Sequence, residues 1–306
     1  MSPDLSICIV NWNVRQLLQQ CLQALPDATV PLTTEIIVVD NASTDGSAAL
    51  RGVFPHVRWV QNTVNVGFSR ANNQALALST GRYVCFLNPD TVPQPGSLTT
   101  LVRYLENHPH VGIVGPQLRY PDMSLQPSRY RFPSVLTALM ESTPLGWRWP
   151  NNPWARRYHC SDHPPDREQE VDWLNGACIV VRRAVLEQIG GFDERFFMYS
   201  EEMDLCRRAR TAGWRVMYVP QAVVIHHEGK SSEQVVAARH VYFNRSKVRY
   251  FRKHHGPWAA AVVLWGIRLQ YAGELLLEGG KWLLGHKRGL RAQRVRAYWA
   301  VLRQVR

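Results

Sequence analysis

Glu35–Gly46 reads EIIVVDNASTDG. Its first six residues hold four consecutive Ile or Val and no polar alternation, the composition of a short strand buried on both faces. The polar break that follows, closing on Asp45-Gly46, is turn chemistry. A strand buried on both faces requires helices above and below it. Upstream, Leu5–Trp12 (LSICIVNW) is a second such run, and Arg15–Leu25 then places Leu17, Leu18, Cys21, Leu22 and Leu25 at helical spacing up to Pro26. Downstream come a helix from about Ser47, a short strand over Arg58–Gln61, a helix from Gly67 through Leu78, a strand over Tyr83–Leu87 and a helix over Gly96–Asn107. This rhythm predicts an α/β fold built on a parallel, three-layer sheet.

With 306 residues, 45% hydrophobic and 20% charged, the chain has the composition of a folded protein, which excludes disorder, collagen and a small disulfide scaffold. Cys8, Cys21, Cys85, Cys160, Cys178 and Cys206 contain no C-x-x-C pair, so neither a zinc ribbon nor a disulfide framework is expected. MSPDLSICIV lacks a basic segment ahead of a long apolar one, which argues against a signal peptide and for a reducing cytosolic setting. Residues 121–170 are rich in Pro, Trp and Arg with little periodicity and read as a long connection of the kind that covers a site. Beyond it, a strand is expected over Ala177–Val181 and a helix near Arg183–Ile189. A helix over Glu202–Ala212, strands over Val216–Pro220 and Val223–His227, and a long helix from Glu233 to His254 follow, the last entered through a capping box at Ser231, Ser232 and Gln234.

The net charge of +12 is concentrated at one end. Residues 1–238 are nearly neutral, whereas residues 239–306 hold fifteen Lys or Arg against only Glu274 and Glu278. Trp258–Ile267 is uninterrupted apolar sequence, ten residues where about 20 are needed to span a bilayer. An amphipathic segment with Trp282 follows, and then seven basic residues from Lys287 to Arg306. Two readings stand: a helix lying on an anionic membrane surface, or a core-packing helix with a solvated basic end. No nucleic-acid-binding motif is present.

In an open α/β sheet the ligand binds beyond the carboxyl ends of the strands. Asn11 to Asn13, Asp40-Asn41, Asn62 with Asn65, and Asn88-Pro89-Asp90 occupy those positions after the first four strands. Together they predict a nucleotide pocket. No G-x-G-x-x-G follows the first strand and no G-x-x-x-x-G-K-[ST] occurs, so the pocket is neither a dinucleotide site nor a P-loop.

Five strings in order, VVDNASTDGS, NVGFSRANN, LNPD, WLNGACIVVRR and FFMYSEEMDLCRR, resemble the inverting family 2 glycosyltransferases, and within them the rhamnosyltransferase-like branch. The likeness runs from Ser6 to about Gly256. It implies a nucleotide-sugar-binding α/β sheet of the GT-A type with a C-terminal helical, basic amphipathic extension. Residues 1–120 would be the nucleotide-sugar half, 121–256 the acceptor-side and catalytic half, and 257–306 the tail. Asp40 matches the aspartate that meets the pyrimidine base, with Asn11 and Asn41 beside it; a carboxylate suits the imide N–H of a pyrimidine. Asn65, Gly67 and Asn72 fall in the stretch shaping the nucleotide pocket, where the helix from Gly67 would aim backbone N–H groups at the ligand.

Asn88 and Asp90 stand where the family has its D-x-D motif, which implies a divalent cation, Mg²⁺ or Mn²⁺, on Asp90. His226, in H-x-x-G-x-S with Gly229 and Ser231, is the second metal ligand the resemblance implies; a histidine packing at a strand end is the alternative. Glu202 falls on the catalytic base, where Asp is commoner, and Glu201 beside it could share or take that role. Acids at a helix N-terminus are also favoured by the macrodipole alone. Trp173 and Gly176 lie in the motif facing the acceptor, and Trp173 reads equally as a sugar platform or as core. The activity implied is single-displacement transfer of a sugar, rhamnose from dTDP-rhamnose, to a glycan or polyprenyl-diphosphate-linked acceptor. The setting implied is the cytoplasm, peripheral at the inner face of the membrane. A UDP- or GDP-sugar donor, or a non-catalytic sugar-nucleotide-binding subunit, are the alternatives.

Overall fold

A computed structural model describes the chain except residues 1, 142, 144, 145, 147 and 229–235. Through the first third strands and helices alternate: β1 (Leu5–Asn11), α1 (Arg15–Thr29), β2 (Thr34–Asp40), α2 (Leu50–Val53), β3 (Arg58–Gln61), α3 (Phe68–Leu78), β4 (Tyr83–Leu87), β5 (Thr91–Pro93) and α4 (Ser97–Asn107). The middle contributes β6 (Val111–Arg119), β7 (Leu125–Gln126), β8 (Arg129–Tyr130), α5 (Val135–Met140), α6 (Pro153–Tyr158), β9 (Gln169–Glu170) and β10 (Trp173–Leu174). There follow β11 (Cys178–Arg182), α7 (Arg183–Ile189), α8 (Glu201–Thr211), β12 (Arg215–His226), α9 (Val236–Leu283) and α10 (Arg288–Gln304). The chain divides into two compact units, one of residues 1–132, 159–197 and 201–231, the other of residues 133–158, 198–200 and 232–306.

The first unit is the α/β body. Its main sheet runs β3-β2-β1-β4-β11-β6-β12-β5, with β7 on β6 and β9 on β12. The first four strands are parallel, as the alternation requires. The parallel expectation fails beyond them, because β11 enters from the opposite end and lies antiparallel to both β4 and β6. β12 is one long strand where two were expected, broken in register between Val219 and Val223. Strand alternation sends Leu5, Ile7 and Ile9 to a core with α1 and α4, while Cys8 and Val10 join Ile37 and Val39 against α3, α7 and α8. Helices on both faces thus cover the sheet. The first helix runs one turn past Pro26, since proline's fixed φ is itself helical. The helix expected from Ser47 is a 3₁₀ turn over Ser47–Ala49 followed by α2.

The second unit is helical. Its long helix α9 continues well past His254, interrupted only at Gly256, whose φ of 89° is non-helical. Ser231, Ser232 and Gln234 of the expected capping box lie outside the described residues, as do Gly229 and Ser231 of the late histidine motif. Glu278 on α9 is buried and meets Arg291 of α10, with Arg294 and Lys281 each 3.6 Å away. This cluster and an apolar face of Ala260, Val263, Ile267 and Tyr271 hold the inner side of the helix. The outer side exposes Trp258 (85%), Trp265 (60%), Leu269 (71%), Leu276 (77%) and Leu283 (72%). At 100° per residue these five fall within a narrow stripe on one face. By length and composition α9 is also apolar enough to cross a membrane, and only 22% of its apolar window is buried, unlike a core helix.

Candidate active site

The parallel register brings the strand ends together. Asn11 of β1 pairs with Asp40 of β2, and Asp40 with Gln61 of β3. On the other side Ile9 pairs with Leu87, which sets Asn88 to Asp90 at the same edge. Because β11 is antiparallel, its beginning rather than its end arrives there, and Asn88 N–H donates to the carbonyl of Ala177 at 2.9 Å. Gly176 is the next residue back. A Cβ on Gly176 would stand 3.3 Å from the Cβ of Glu202, so the absence of a side chain there lets the first turn of α8 approach the sheet edge.

Asp40 is buried, and its carboxylate accepts from Asn11 Nδ2 (2.8 Å), Ser43 N–H (2.9 Å) and Gln61 Nε2 (2.7 Å). Asn41 Nδ2 donates to Asn65 Oδ1 at 2.8 Å, and Asn41 Oδ1 accepts from Asn62 Nδ2 and from Val66 N–H, both at 3.0 Å. Asn65 Oδ1 in turn takes the N–H of Gly67 at 3.0 Å. The amides therefore clamp the β2 end, the β3 end and the entry to α3 into one rigid rim. Gly67 is required at its position: φ is +90°, and a Cβ would sit 2.7 Å from both the ring and the carbonyl oxygen of Phe197. Phe68 N–H donates to that carbonyl at 2.7 Å. Thus the N–H groups of Gly67 and Phe68, expected to face a ligand, are already bonded within the protein. Asn72 is buried and bonds back to the Phe68 carbonyl within its own helix. Asn11 Oδ1 and Asn88 Oδ1 are buried acceptors without a hydrogen-bond partner, both at this edge.

Asp90 and His226 meet. His226 ends β12 opposite Thr91 of β5, and its Nε2 lies 3.4 Å from Asp90 Oδ1 with both side chains buried. His226 Nε2 has no hydrogen-bond partner. A small divalent ion takes ligands at about 2.1 Å and so sets adjacent ones about 3 Å apart, close to this spacing. Magnesium-type sites use one or two protein ligands and complete the shell with phosphate oxygens and water, so the pair fits such an ion. Among the described residues no cluster of three or more His, Cys, Asp or Glu forms a closed cage.

Glu201 and Glu202 begin α8, preceded by Tyr199 and Ser200 at φ of 70° and 65°. Two successive non-glycine residues in the left-handed region are costly and cluster at functional sites. Burial pushes the Glu202 carboxyl up to about 7, against the N–H groups of Glu202, Met203 and Gly176, which pull it down. Glu201 is buried and its carboxyl is also held well above the ordinary carboxylate range, by burial first and then by the charge of Glu202. One oxygen of each carboxylate lacks a partner. Asp204 instead pairs with Arg208 at 2.8 Å, one helical turn on.

Trp173 is partly buried and stacks on Tyr130, ring centroids 4.3 Å apart and planes within 15°, while its indole N–H donates to the Arg131 carbonyl at 3.0 Å. Sequence reasoning did not single out Tyr130, Ser43, Gln61, Gln126 or Glu228. Gln61 alone carried a usable signal, as the last residue of β3 on the same edge as Asp40.

Residues 6–190 match the family model described as glycosyl transferase family 2, and residues 168–302 match the glycosyl transferase family group 2 model. An N-acetylglucosaminyl-diphospho-decaprenol L-rhamnosyltransferase of Mycobacterium tuberculosis is 34% identical over 281 residues, covering 88% of this chain and 90% of its own length. The rhamnosyltransferase WbbL of Escherichia coli is 28% identical over 194 residues, covering 61% of this chain and 70% of that protein. Among solved structures, a mannosyltransferase of Pyrobaculum calidifontis in complex with GDP-Man and Mn²⁺ superposes with a TM-score of 0.56 at 19% identity, over 98% of this chain and 86% of that one. The structure of GalNAc-T7 with UDP, GalNAc and Mn²⁺ gives 0.55 at 12% identity, over 83% of this chain and 51% of the other. These two likenesses support the GT-A fold.

Proposed function

The chain belongs to glycosyl transferase family 2, and from that premise we propose that it transfers rhamnose from dTDP-rhamnose to a polyprenyl-diphosphate-linked glycan with inversion, aided by Mg²⁺ or Mn²⁺. The observation that carries this reading is the approach of Glu202 to Gly176, adjacent to the Asn88 strand end, with its carboxyl poised near neutral pH. A base at about 7 is about half ionised at working pH and is a stronger base than an ordinary carboxylate, which suits it to take the acceptor proton as the new bond forms. The relatives named as rhamnosyltransferases support the sugar, and the decaprenol-diphosphate in one name supports the acceptor class.

In this reading Asp40, held by Asn11, Ser43 and Gln61, accepts the imide N–H of the thymine base. The amide rim of Asn41, Asn65 and Gly67 shapes the wall, and Asn72 braces the helix behind it. Asp90 and His226 would hold the divalent ion, which would supply charge neutralisation to the departing diphosphate. Asn88 stands beside them as a polar contact for the sugar nucleotide. Glu202 removes the proton of the acceptor hydroxyl as its oxygen bonds to the anomeric carbon, and the bond from that carbon to the diphosphate oxygen breaks on the opposite face. Glu201, its carboxyl also raised by burial and by the charge of Glu202, favours the protonated form beside it, which spares the site a second negative charge. Trp173, stacked on Tyr130, offers an aromatic platform for the acceptor sugar, and Gly176, in the same acceptor-facing motif, lets Glu202 come up against the sheet edge.

By role, residues 1–120 bind the donor, 121–256 bind the acceptor and carry the base, and 257–306 dock the enzyme peripherally on the anionic cytoplasmic face of the membrane. The exposed Trp and Leu stripe of α9 and the basic residues of the tail support that last assignment, each cation near anionic lipid adding about 1 kcal/mol.

A panel of nucleotide sugars incubated with enzyme, Mn²⁺ or Mg²⁺ and a polyprenyl-diphosphate glycan tests the reading through released nucleoside diphosphate. Release from dTDP-rhamnose that chelator abolishes is the expected result. Release only from a UDP- or GDP-sugar would replace the donor, and release that survives chelation would remove the metal.

A further inference from the structure

His226 is not merely near Asp90; its other ring nitrogen is held by buried Gln126, which is held in turn by Glu228, an exposed residue. Nδ1 lies 3.0 Å from Gln126 Oε1, and Gln126 Nε2 donates to Glu228 Oε2 at 3.0 Å. Gln126 is 3% exposed and sits in the two-residue strand β7, opposite Leu118 of β6. Glu228 reaches back from a left-handed backbone, φ 45°, two residues beyond His226. The intervening His227 donates its N–H to the Asp90 carbonyl at 2.9 Å, which fixes the corner.

The orientation of the chain follows from what each group can do. A carboxylate only accepts, so Glu228 demands the NH₂ end of the Gln126 amide. The amide oxygen then faces His226 and also only accepts, so Nδ1 must carry the proton. In the neutral ring this leaves Nε2 as a bare lone pair, aimed at Asp90 Oδ1 3.4 Å away. We propose that Gln126 and Glu228 are positioning residues which lock His226 in the Nδ1–H tautomer and present Nε2 to the divalent ion. The proposal rests on the metal reading given above and adds two residues to it. A ligating imidazole whose second nitrogen is left free to rotate or to swap its proton binds its ion more weakly, and losing such an outer partner typically costs 10- to 100-fold in affinity.

Two measurements test this on the full chain. In the metal-free protein, ¹⁵N-resolved NMR of the His226 ring, taken with the imidazole neutral, reports the tautomer directly. The proton is expected on Nδ1; a proton on Nε2 with Nδ1 bare overturns the proposal, whatever the variants do. Mn²⁺ binding, followed by electron paramagnetic resonance with dTDP present, is expected to weaken 10- to 100-fold in Gln126→Leu. It should recover in the double variant Gln126→Glu with Glu228→Gln, where a carboxylate faces Nδ1–H and the amide donates to it. Unchanged Mn²⁺ affinity in Gln126→Leu overturns the relay alone, whereas no Mn²⁺ binding by the parent chain overturns the metal reading beneath it.

Discussion

Replacing Glu202 by Gln should make the enzyme more stable and nearly inactive at the same time. The carboxyl is moved from 4.5 to about 7, chiefly by burial. Each pH unit of such displacement is about 1.4 kcal/mol, so ionising Glu202 in the folded state costs up to about 3 kcal/mol. Solvent reaching the partly exposed side chain trims this to about 2 kcal/mol. The sign follows from proton binding. Between pH 4.5 and 7 the folded state holds a proton that the unfolded state has lost, so the contribution is complete below 4.5, declines through this window and is gone above about 7. A neutral amide of the same shape never incurs the cost. At pH 8 the variant should melt about 4–8 °C above the parent, and at pH 4 the difference should vanish. The same substitution removes the base, and kcat should fall by roughly 10²–10⁴-fold. Scanning calorimetry across pH 4 to 8, paired with initial rates, checks both. A parent and variant with parallel pH–stability curves would refute the strained-carboxylate reasoning, and a variant retaining most of its kcat would refute the assignment of the base.

Three further outcomes are expected. Asp40→Asn puts an amide donor where three donors converge, leaving a buried polar group unsatisfied; it should cost about 1–3 kcal/mol in denaturant unfolding and abolish dTDP binding by calorimetry. Gly67→Ala adds a Cβ within 2.7 Å of Phe197 at a positive φ, so the thermal midpoint should drop by several degrees and the Km for donor should rise. Trp258→Ser, Trp265→Ser and Leu269→Ser together change residues that are 60–85% exposed, so melting should barely move while sedimentation with anionic vesicles is lost; undiminished vesicle binding would sink the membrane assignment.

Local sequence was enough for whatever depends on neighbours along the chain. The runs EIIVVD and LSICIVNW declare strands buried on both faces because nothing polar interrupts them, and the parallel alternation of the first four strands places their ends on one edge. That geometry makes Asn11, Asp40 and Asn88 legible as neighbours from the sequence. Proline misled at Pro26, because the ring is compatible with the helical φ and the helix continued for another turn.

What the tertiary structure decided lies where distant segments meet. That β11 runs antiparallel, and so delivers its first residues to the edge the other strands reach with their last, depends on the path of a connection some fifty residues long, 121–170, with weak local preferences. Gly176 is needed because α8 crosses it, a fact of packing that neither residue announces. The chain from Asp90 through His226 and Gln126 to Glu228 joins residues up to 138 positions apart, and hydrogen-bond complementarity between such positions leaves no periodic trace in the sequence. Residue types set which protons can be given or taken; only folding determines which group stands close enough to take them.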